Sequence, residues 1–238
     1  MLTMSPLRLE GVRAVVTGAS RGLGRVIAEG YVREGATVVA TARALAHLDA
    51  VTRGCDGAPG TLVRTVALEL EDPDSVAAAA VACRAVLGRI DVLVNNAGIL
   101  GRRVSLLETA PSELTRAFAV NVAGPLGLVS GMVDGFADGA VIINVSSGAA
   151  GRAGWGAYGL SKAALNVMTA MLGEELRGRG VRCVAINPGG MRTEMRRAAY
   201  PSEDPQTVPH PRSVVEPFLA IAAGAEVGDV VEARAWTS

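Results

Sequence analysis

Of the 23 Lys and Arg side chains in this 238-residue sequence, one is lysine: Lys162. It stands four residues after Tyr158, in Tyr158-Gly159-Leu160-Ser161-Lys162. Arginine is a planar fork that stays charged, whereas lysine is a compact cation whose pKa its surroundings can move. A chain that uses arginine everywhere else and keeps a lysine beside a tyrosine points to chemistry at that place. Residues four apart share one face of a helix, so both side chains reach the same pocket. A free phenol titrates near ~10, and a neighbouring cation stabilises the phenolate and lowers that value. The pair therefore reads as a device for moving a proton.

A second segment has the chemistry of a phosphate cradle. Thr17-Gly18-Ala19-Ser20-Arg21-Gly22-Leu23-Gly24 follows an apolar run and opens a helical pattern. Glycines let the backbone turn sharply and approach a pyrophosphate, and the helix start offers unpaired N–H groups and partial positive charge. Its place between a strand and a helix gives the motif weight that glycine alone lacks.

The elements that position these groups alternate along the chain. Strands are expected at Arg13–Thr17, Thr37–Thr41, Leu62–Ala67, Val92–Asn95, Val141–Val145, Val181–Ile186 and Val230–Ala233. Most are apolar without polar alternation, the mark of strands covered on both faces. Helices are expected at Leu23–Glu34, Asp74–Leu87, Ser112–Val133 and Ala157–Arg177. Asp72-Pro73 suits a helix start, and Gly178 and Gly180 a helix end. The alternation implies a doubly wound, Rossmann-type α/β fold with helices on both faces of the sheet, as a single domain over residues 1–238. Tyr200–Pro211, rich in proline and turn formers, reads as a surface loop.

Composition bounds the function classes. Net charge is zero with no basic stripe, which gives no support to nucleic-acid binding. Cys55, Cys83 and Cys183 have neither metal-ligand nor disulfide spacing, so no metal is expected and a reducing compartment is. Met1 to Glu10 lacks an apolar stretch of the secretory kind, and no apolar run approaches the ~20 residues of a membrane span. The expectation is a cytoplasmic protein.

Further segments join the two motifs: Asn95-Asn96-Ala97-Gly98 after the fourth strand, Asn121 in the next helix, Ser146-Ser147 after the fifth strand, and Pro188-Gly189-Gly190-Met191-Arg192-Thr193 after the sixth. In this order and spacing the chain resembles the short-chain dehydrogenase/reductase family, in its single-domain NAD(P)-dependent branch, from Leu9-Glu10-Gly11 to about Trp236. The resemblance implies a seven-stranded parallel sheet with the cofactor at the C-terminal ends of the strands. It implies catalytic roles for Asn121, Ser147, Tyr158 and Lys162. Tyr158 would exchange a proton with substrate oxygen, Ser147 would orient that oxygen, Lys162 would hold the nicotinamide ribose, and Asn121 would help hold a water. Family spacing to the tyrosine would favour Ser146. We select Ser147 because the second serine of such a pair normally points into the site, and we attribute the difference to a shortened Gly148–Gly156 loop.

The cofactor contacts implied by the resemblance are Gly18, Ser20, Arg21, Gly22, Leu23, Gly24, Arg43, Glu69, Leu70, Asn95, Ala97, Gly98, Tyr158, Lys162, Pro188, Gly189, Met191 and Thr193, with Asn96 as structural support. At the end of the second strand the family's acidic position falls on Thr41, with Arg43 and Arg21 nearby. Two arginines and no carboxylate suit a ribose 2′-phosphate, so NADP(H) is expected in preference to NAD(H), which stays possible. The implied activity is interconversion of a small-molecule carbonyl and a secondary alcohol by hydride transfer, with a substrate loop at about 190–213. A cofactor-binding regulator with little turnover is the alternative. A homo-dimer or homo-tetramer is expected, with no membrane and no nucleic acid as partner.

Overall fold

The computed structural model describes residues 6–237, apart from the side chains of residues 62–64, so the first five residues of the N-terminal stretch and Ser238 lie outside it. Seven strands form: β1 (Arg13–Val16), β2 (Thr37–Ala42), β3 (Thr61–Ala67), β4 (Ile90–Asn95), β5 (Phe136–Val145), β6 (Arg182–Asn187) and β7 (Val230–Glu232). They make one sheet in the order β3-β2-β1-β4-β5-β6-β7, parallel throughout. The helices are α1 (Gly22–Arg33), α2 (Asp49–Gly54), α3 (Pro73–Leu87), α4 (Pro111–Phe118), α5 (Gly124–Met132), α6 (Gly156–Glu175), α7 (Glu194–Ala199) and α8 (Glu216–Ala222).

Alternate strand residues face opposite ways, so the sheet has two cores. Ala14, Val16, Val38, Val94, Ile143 and Ile186 pack with α1, α2 and α8. Val15, Val39, Leu93, Ile142 and Cys183 pack with α3, α5 and α6. Burial on both faces explains why these strands read as unbroken apolar runs. β5 starts at Phe136, before the expected Val141, because Asp138-Gly139 looks like a turn yet is accommodated at an irregular step of the β4–β5 register.

The expected helix Ser112–Val133 is helical but not uniform: α4 and α5 flank a wide π turn at Ala119–Ala123. Pro125 supplies a cause. It has no N–H to offer the carbonyl of Asn121, and its ring crowds that carbonyl in a regular helix. The whole stretch Pro111–Gly135 is long and apolar enough by composition to cross a membrane, which a search for unbroken apolar runs does not show. In the fold, α5 lies so close to α3 that a Cβ at Gly131 would stand 2.7 Å from Ala80 Cβ. Its Leu128, Val129 and Met132 are core residues.

Candidate active site

Tyr158 and Lys162 sit at the start of α6, which Leu165, Met168 and Leu172 anchor to the sheet. Both are buried, Tyr158 at 7% exposure and Lys162 at 4%. The Lys162 Nζ donates to the Val145 carbonyl at 2.7 Å and lies 5.9 Å from the centre of the Tyr158 ring. An ammonium has three donors. Among the described residues Val145 is its one hydrogen-bond acceptor, which leaves two donors for a ligand such as a ribose. Burial pushes the Lys162 pKa down to about 8. Burial pushes the Tyr158 phenol up, and a hydrogen bond with the Ser147 hydroxyl works against it without prevailing. The expected lowering of the phenol by the lysine is therefore not seen in the protein alone, where desolvation is the larger effect.

The two serines diverge. Ser146 is buried and its Oγ donates to Asn166 Oδ1 at 2.5 Å, tying the end of β5 to α6. Ser147 turns the other way, toward the Tyr158 phenol, and accepts from the Ala149 N–H at 3.1 Å. The structure thus brings the second serine to the tyrosine despite the short loop between them.

Asn121 is buried in the π turn, and its side chain is fully engaged. Nδ2 donates to the Ile99 carbonyl at 3.0 Å and to Ser161 Oγ at 2.9 Å, while Oδ1 accepts from the Ile99 N–H at 2.9 Å. Ser161 Oγ in turn donates to the Tyr158 carbonyl at 2.9 Å. This chain of bonds fastens the loop after β4 and the π turn to the turn of α6 that carries Tyr158. The Asn121 side chain is a pin, and Pro125, which lacks an N–H, withholds from the Asn121 main-chain carbonyl the bond a regular helix would give it.

The glycine loop is held from behind. Thr17 Oγ1 accepts from the N–H groups of Asn96 and Ala97, each at 3.0 Å, and Asn96 Nδ2 donates to the Thr17 carbonyl at 2.9 Å. Gly18 has φ +65°, and a Cβ at Gly24 would stand 2.4 Å from Asn96 Nδ2, so both positions demand glycine. Gly22, also at positive φ, lies against Thr193, and Gly98 lies against Asn121 and Lys162: a Cβ there would be 2.9 Å from Asn121 Oδ1 and 3.6 Å from Lys162 Nζ. The loop, Gly98, Lys162 and Thr193 therefore border one cleft at the C-terminal ends of the strands, where open α/β sheets bind ligands.

The residues expected to contact the cofactor sit at different depths. The Asn95 side chain does not shape the cleft: it is buried and donates to Asn144 Oδ1 on β5 at 2.9 Å. Leu23 and Met191 put their side chains into the core, and Leu70 packs on Gly124 in α5, so cofactor contact there would fall to the backbone. Thr41 is buried and accepts from the Ala19 N–H through its carbonyl, so it is not the residue that faces a ribose. Arg43 is the first exposed charge after β2 and has no ion pair among the described residues. Arg21 is already paired with Glu194 of α7. Glu69 is half-buried, with its N–H bonded to Ser75 Oγ. Ser20 is half-buried within the loop. Pro188 and Gly189 are set by Asn187, whose Oδ1 accepts from the Gly148 and Gly189 N–H groups. Uncommitted donors on Lys162, the glycine cradle and an unpaired Arg43 fit a phosphorylated dinucleotide.

A model of the short chain dehydrogenase family matches residues 13–204. This chain belongs to that family. Similar proteins include the uncharacterized oxidoreductase YciK of Escherichia coli K12, 35% identical over 211 residues, 86% of this chain and 83% of that protein. L-xylulose reductase of Bos taurus is 36% identical over 206 residues, 84% and 79% of the two chains. Among solved structures, a short chain dehydrogenase from Shigella flexneri 2a strain 301 complexed with NADP has a TM-score of 0.90 and 30% identity, over 97% of this chain and 100% of that one.

In this short-chain dehydrogenase the loop after β4 also reaches the site, which reading by motif did not anticipate. Trp155 and Tyr158 stand with ring centres 6.0 Å apart, and Trp155 and Tyr200 likewise. The Arg103 guanidinium lies 4.7 Å from the Trp155 ring centre and 4.4 Å from that of Tyr200. For Arg103 the available signal was an Arg-Arg pair shortly after Asn95-Asn96-Ala97-Gly98.

Proposed function

We propose that this short-chain dehydrogenase is an NADP(H)-dependent oxidoreductase that interconverts a carbonyl and a secondary alcohol, with Tyr158 as general acid and base. The Ser147 hydroxyl beside the Tyr158 phenol, next to a buried lysine with two uncommitted donors, carries the proposal. The dinucleotide supplies or accepts the hydride when bound. In reduction Tyr158 gives its proton to the substrate oxygen, and Ser147 holds that oxygen within hydrogen-bond reach. In oxidation Tyr158 takes the alcohol proton. Lys162 holds the nicotinamide ribose, and its charge offsets the phenolate that proton transfer leaves. The Asn121 carbonyl, released by Pro125, holds the water through which the proton is restored.

The preference for NADP(H) is supported by the unpaired Arg43 and by the NADP complex of a similar structure. Arg21 joins Arg43 on the 2′-phosphate by exchanging Glu194 for it. The protein works in the cytoplasm as a homo-oligomer. Its three cysteines are free and buried, and Leu160, Val167 and Met171 leave an apolar stripe on the outer face of α6.

The test is loss of nicotinamide absorbance from NADPH with a panel of ketones, aldehydes and oxoacyl thioesters. Oxidation by any of them supports the reading. NADPH binding without oxidation across the panel overturns it in favour of a cofactor-binding regulator.

A further inference from the structure

Three of the five Trp and Tyr residues in this aromatic-poor chain meet at one place, and an arginine stands among them. Two of its neighbours of like charge are neutralised. Arg102 forms a two-bond pair with Glu113 at 2.6 and 2.8 Å. Arg196, stacked 3.7 Å from the centre of the Tyr200 ring, forms another with Glu203 at 2.6 Å in both bonds. Arg103 has no carboxylate partner among the described residues. One of its five N–H donors reaches the Ala199 carbonyl at 3.2 Å. The guanidinium is held by two ring faces and a carbonyl, so it is oriented before any ligand arrives. Beside it opens a cleft of about 760 Å³ lined by Gly101, Arg102, Arg103, Gly154, Ala199 and Pro201 among others, and among the described residues no acidic one lines it.

We propose that Arg103 anchors a carboxylate of the substrate, so that the carbonyl compound reduced at Tyr158 is an oxo acid and the product a hydroxy acid. This rests on the reading of Tyr158 as proton donor and names the substrate class for it. A guanidinium fork already oriented loses little freedom when it grips a carboxylate through two parallel bonds. The Trp155 ring centre lies 4.7 Å from the Arg103 guanidinium and 6.0 Å from the Tyr158 ring centre, which brings the anchor and the proton donor to one substrate. In 4-oxo acids and ring-bearing oxo acids the two groups are far enough apart to reach both residues at once. The carboxylate takes no part in the redox step: hydride goes to the carbonyl carbon, the Tyr158 proton goes to its oxygen, and the acid leaves unchanged.

Matched pairs of substrate test the proposal with NADPH: 4-oxo-4-phenylbutanoate and its methyl ester, and 4-oxocyclohexanecarboxylate and its methyl ester. The wild type is expected to prefer each acid over its ester by about tenfold or more in kcat/KM, chiefly through KM, as befits one charge-assisted pair. That preference shrinks as salt is added. In Arg103→Gln the acid-to-ester ratio falls to about one, and Arg103→Lys restores part of it. A second readout needs no turnover: quenching of tryptophan fluorescence by 4-phenylbutanoate in the NADP⁺ complex, expected in the wild type and lost in Arg103→Gln. Turnover of acid and ester alike, or a preference that survives Arg103→Gln, overturns the anchor and leaves the reductase reading standing. Arg103-dependent carboxylate binding with no turnover of any carbonyl upholds the anchor and removes the reductase reading. Absence of both turnover and carboxylate binding removes both.

Discussion

Lys162 donates to the main-chain carbonyl of Val145, the last residue of β5, at 2.7 Å. The bond crosses from α6 to the C-terminal end of a central strand and aims a buried ammonium at the cleft instead of at solvent. Arginine keeps the charge, but its planar fork does not fit a site where one compact cation is 4% exposed. Lys162→Arg is expected to cut kcat/KM more than about tenfold, the loss of one well-placed charge-assisted bond, while circular dichroism shows the fold retained. Lys162→Met removes a buried charge and is expected to abolish turnover without lowering the melting temperature. Near-normal turnover in Lys162→Arg makes the single lysine a chance survivor.

The pH dependence follows from the opposite shifts of the pair. Burial lowers Lys162 to about 8 and raises Tyr158. The phenol, the acid needed for reduction, therefore stays protonated through the neutral range. Lys162 loses its charge as pH rises through about 8. Rates of NADPH-dependent reduction are expected to hold below that value and fall above it, with cofactor affinity weakening in parallel. An alkaline break unchanged in Lys162→Arg assigns the titration to another group.

The serines separate by readout. Ser147→Ala removes the hydroxyl beside Tyr158 and is expected to lower kcat by about 10²-fold, the scale of one polar group acting in the transition state, with the melting temperature unchanged. Ser146→Ala breaks the bond to Asn166 and is expected to cost about 1 kcal/mol of stability with a much smaller effect on kcat. The reverse pattern in a paired denaturation and kinetic measurement exchanges the two assignments.

Arg43 is the exposed charge at the end of β2. Arg43→Ala is expected to raise KM for NADPH by about tenfold and leave KM for NADH nearly unchanged. If both cofactors weaken equally, Arg43 holds something other than the 2′-phosphate.

Far from the cleft, Glu29 on α1 is 2% exposed and bonded to Arg25, Arg33 and Arg212 at 2.6, 3.0 and 3.3 Å. Burial pushes its pKa up, but the bonds from Arg25 and Arg33 outweigh it, and the net shift is downward. A carboxylate whose folded pKa is depressed adds stability above its unfolded value, and that stability is lost as pH falls through the folded one. Glu29→Gln is expected to destabilise by about 1–3 kcal/mol near neutral pH, with the difference from wild type closing in acid. A constant difference down to low pH places the effect in packing instead of charge.

Much of the sheet was legible because its strands are covered on both faces, and such strands carry their burial in a local apolar run. The long helices were legible for a similar reason, since their periodicity is local. Three short helices, α2, α7 and α8, gave no such pattern: their residues are set by what they cover. The wide turn at Ala119–Ala123 could have been read from Pro125, whose missing N–H lies four residues beyond Asn121.

By itself the sequence determined the family's motif order, the seven strands, the Tyr158–Lys162 pairing on one helix face and the glycine turns at Gly18 and Gly22. Each is local, fixed by spacing within a few residues or by steric need at one backbone position. Tertiary structure decided which serine faces Tyr158, that Asn95 and Met191 turn inward, that Arg21 is already paired, and that Arg103 meets Trp155 and Tyr200. Those outcomes depend on how loops from separate strands converge at one sheet edge. Neither residue type nor spacing along the chain carries that distance.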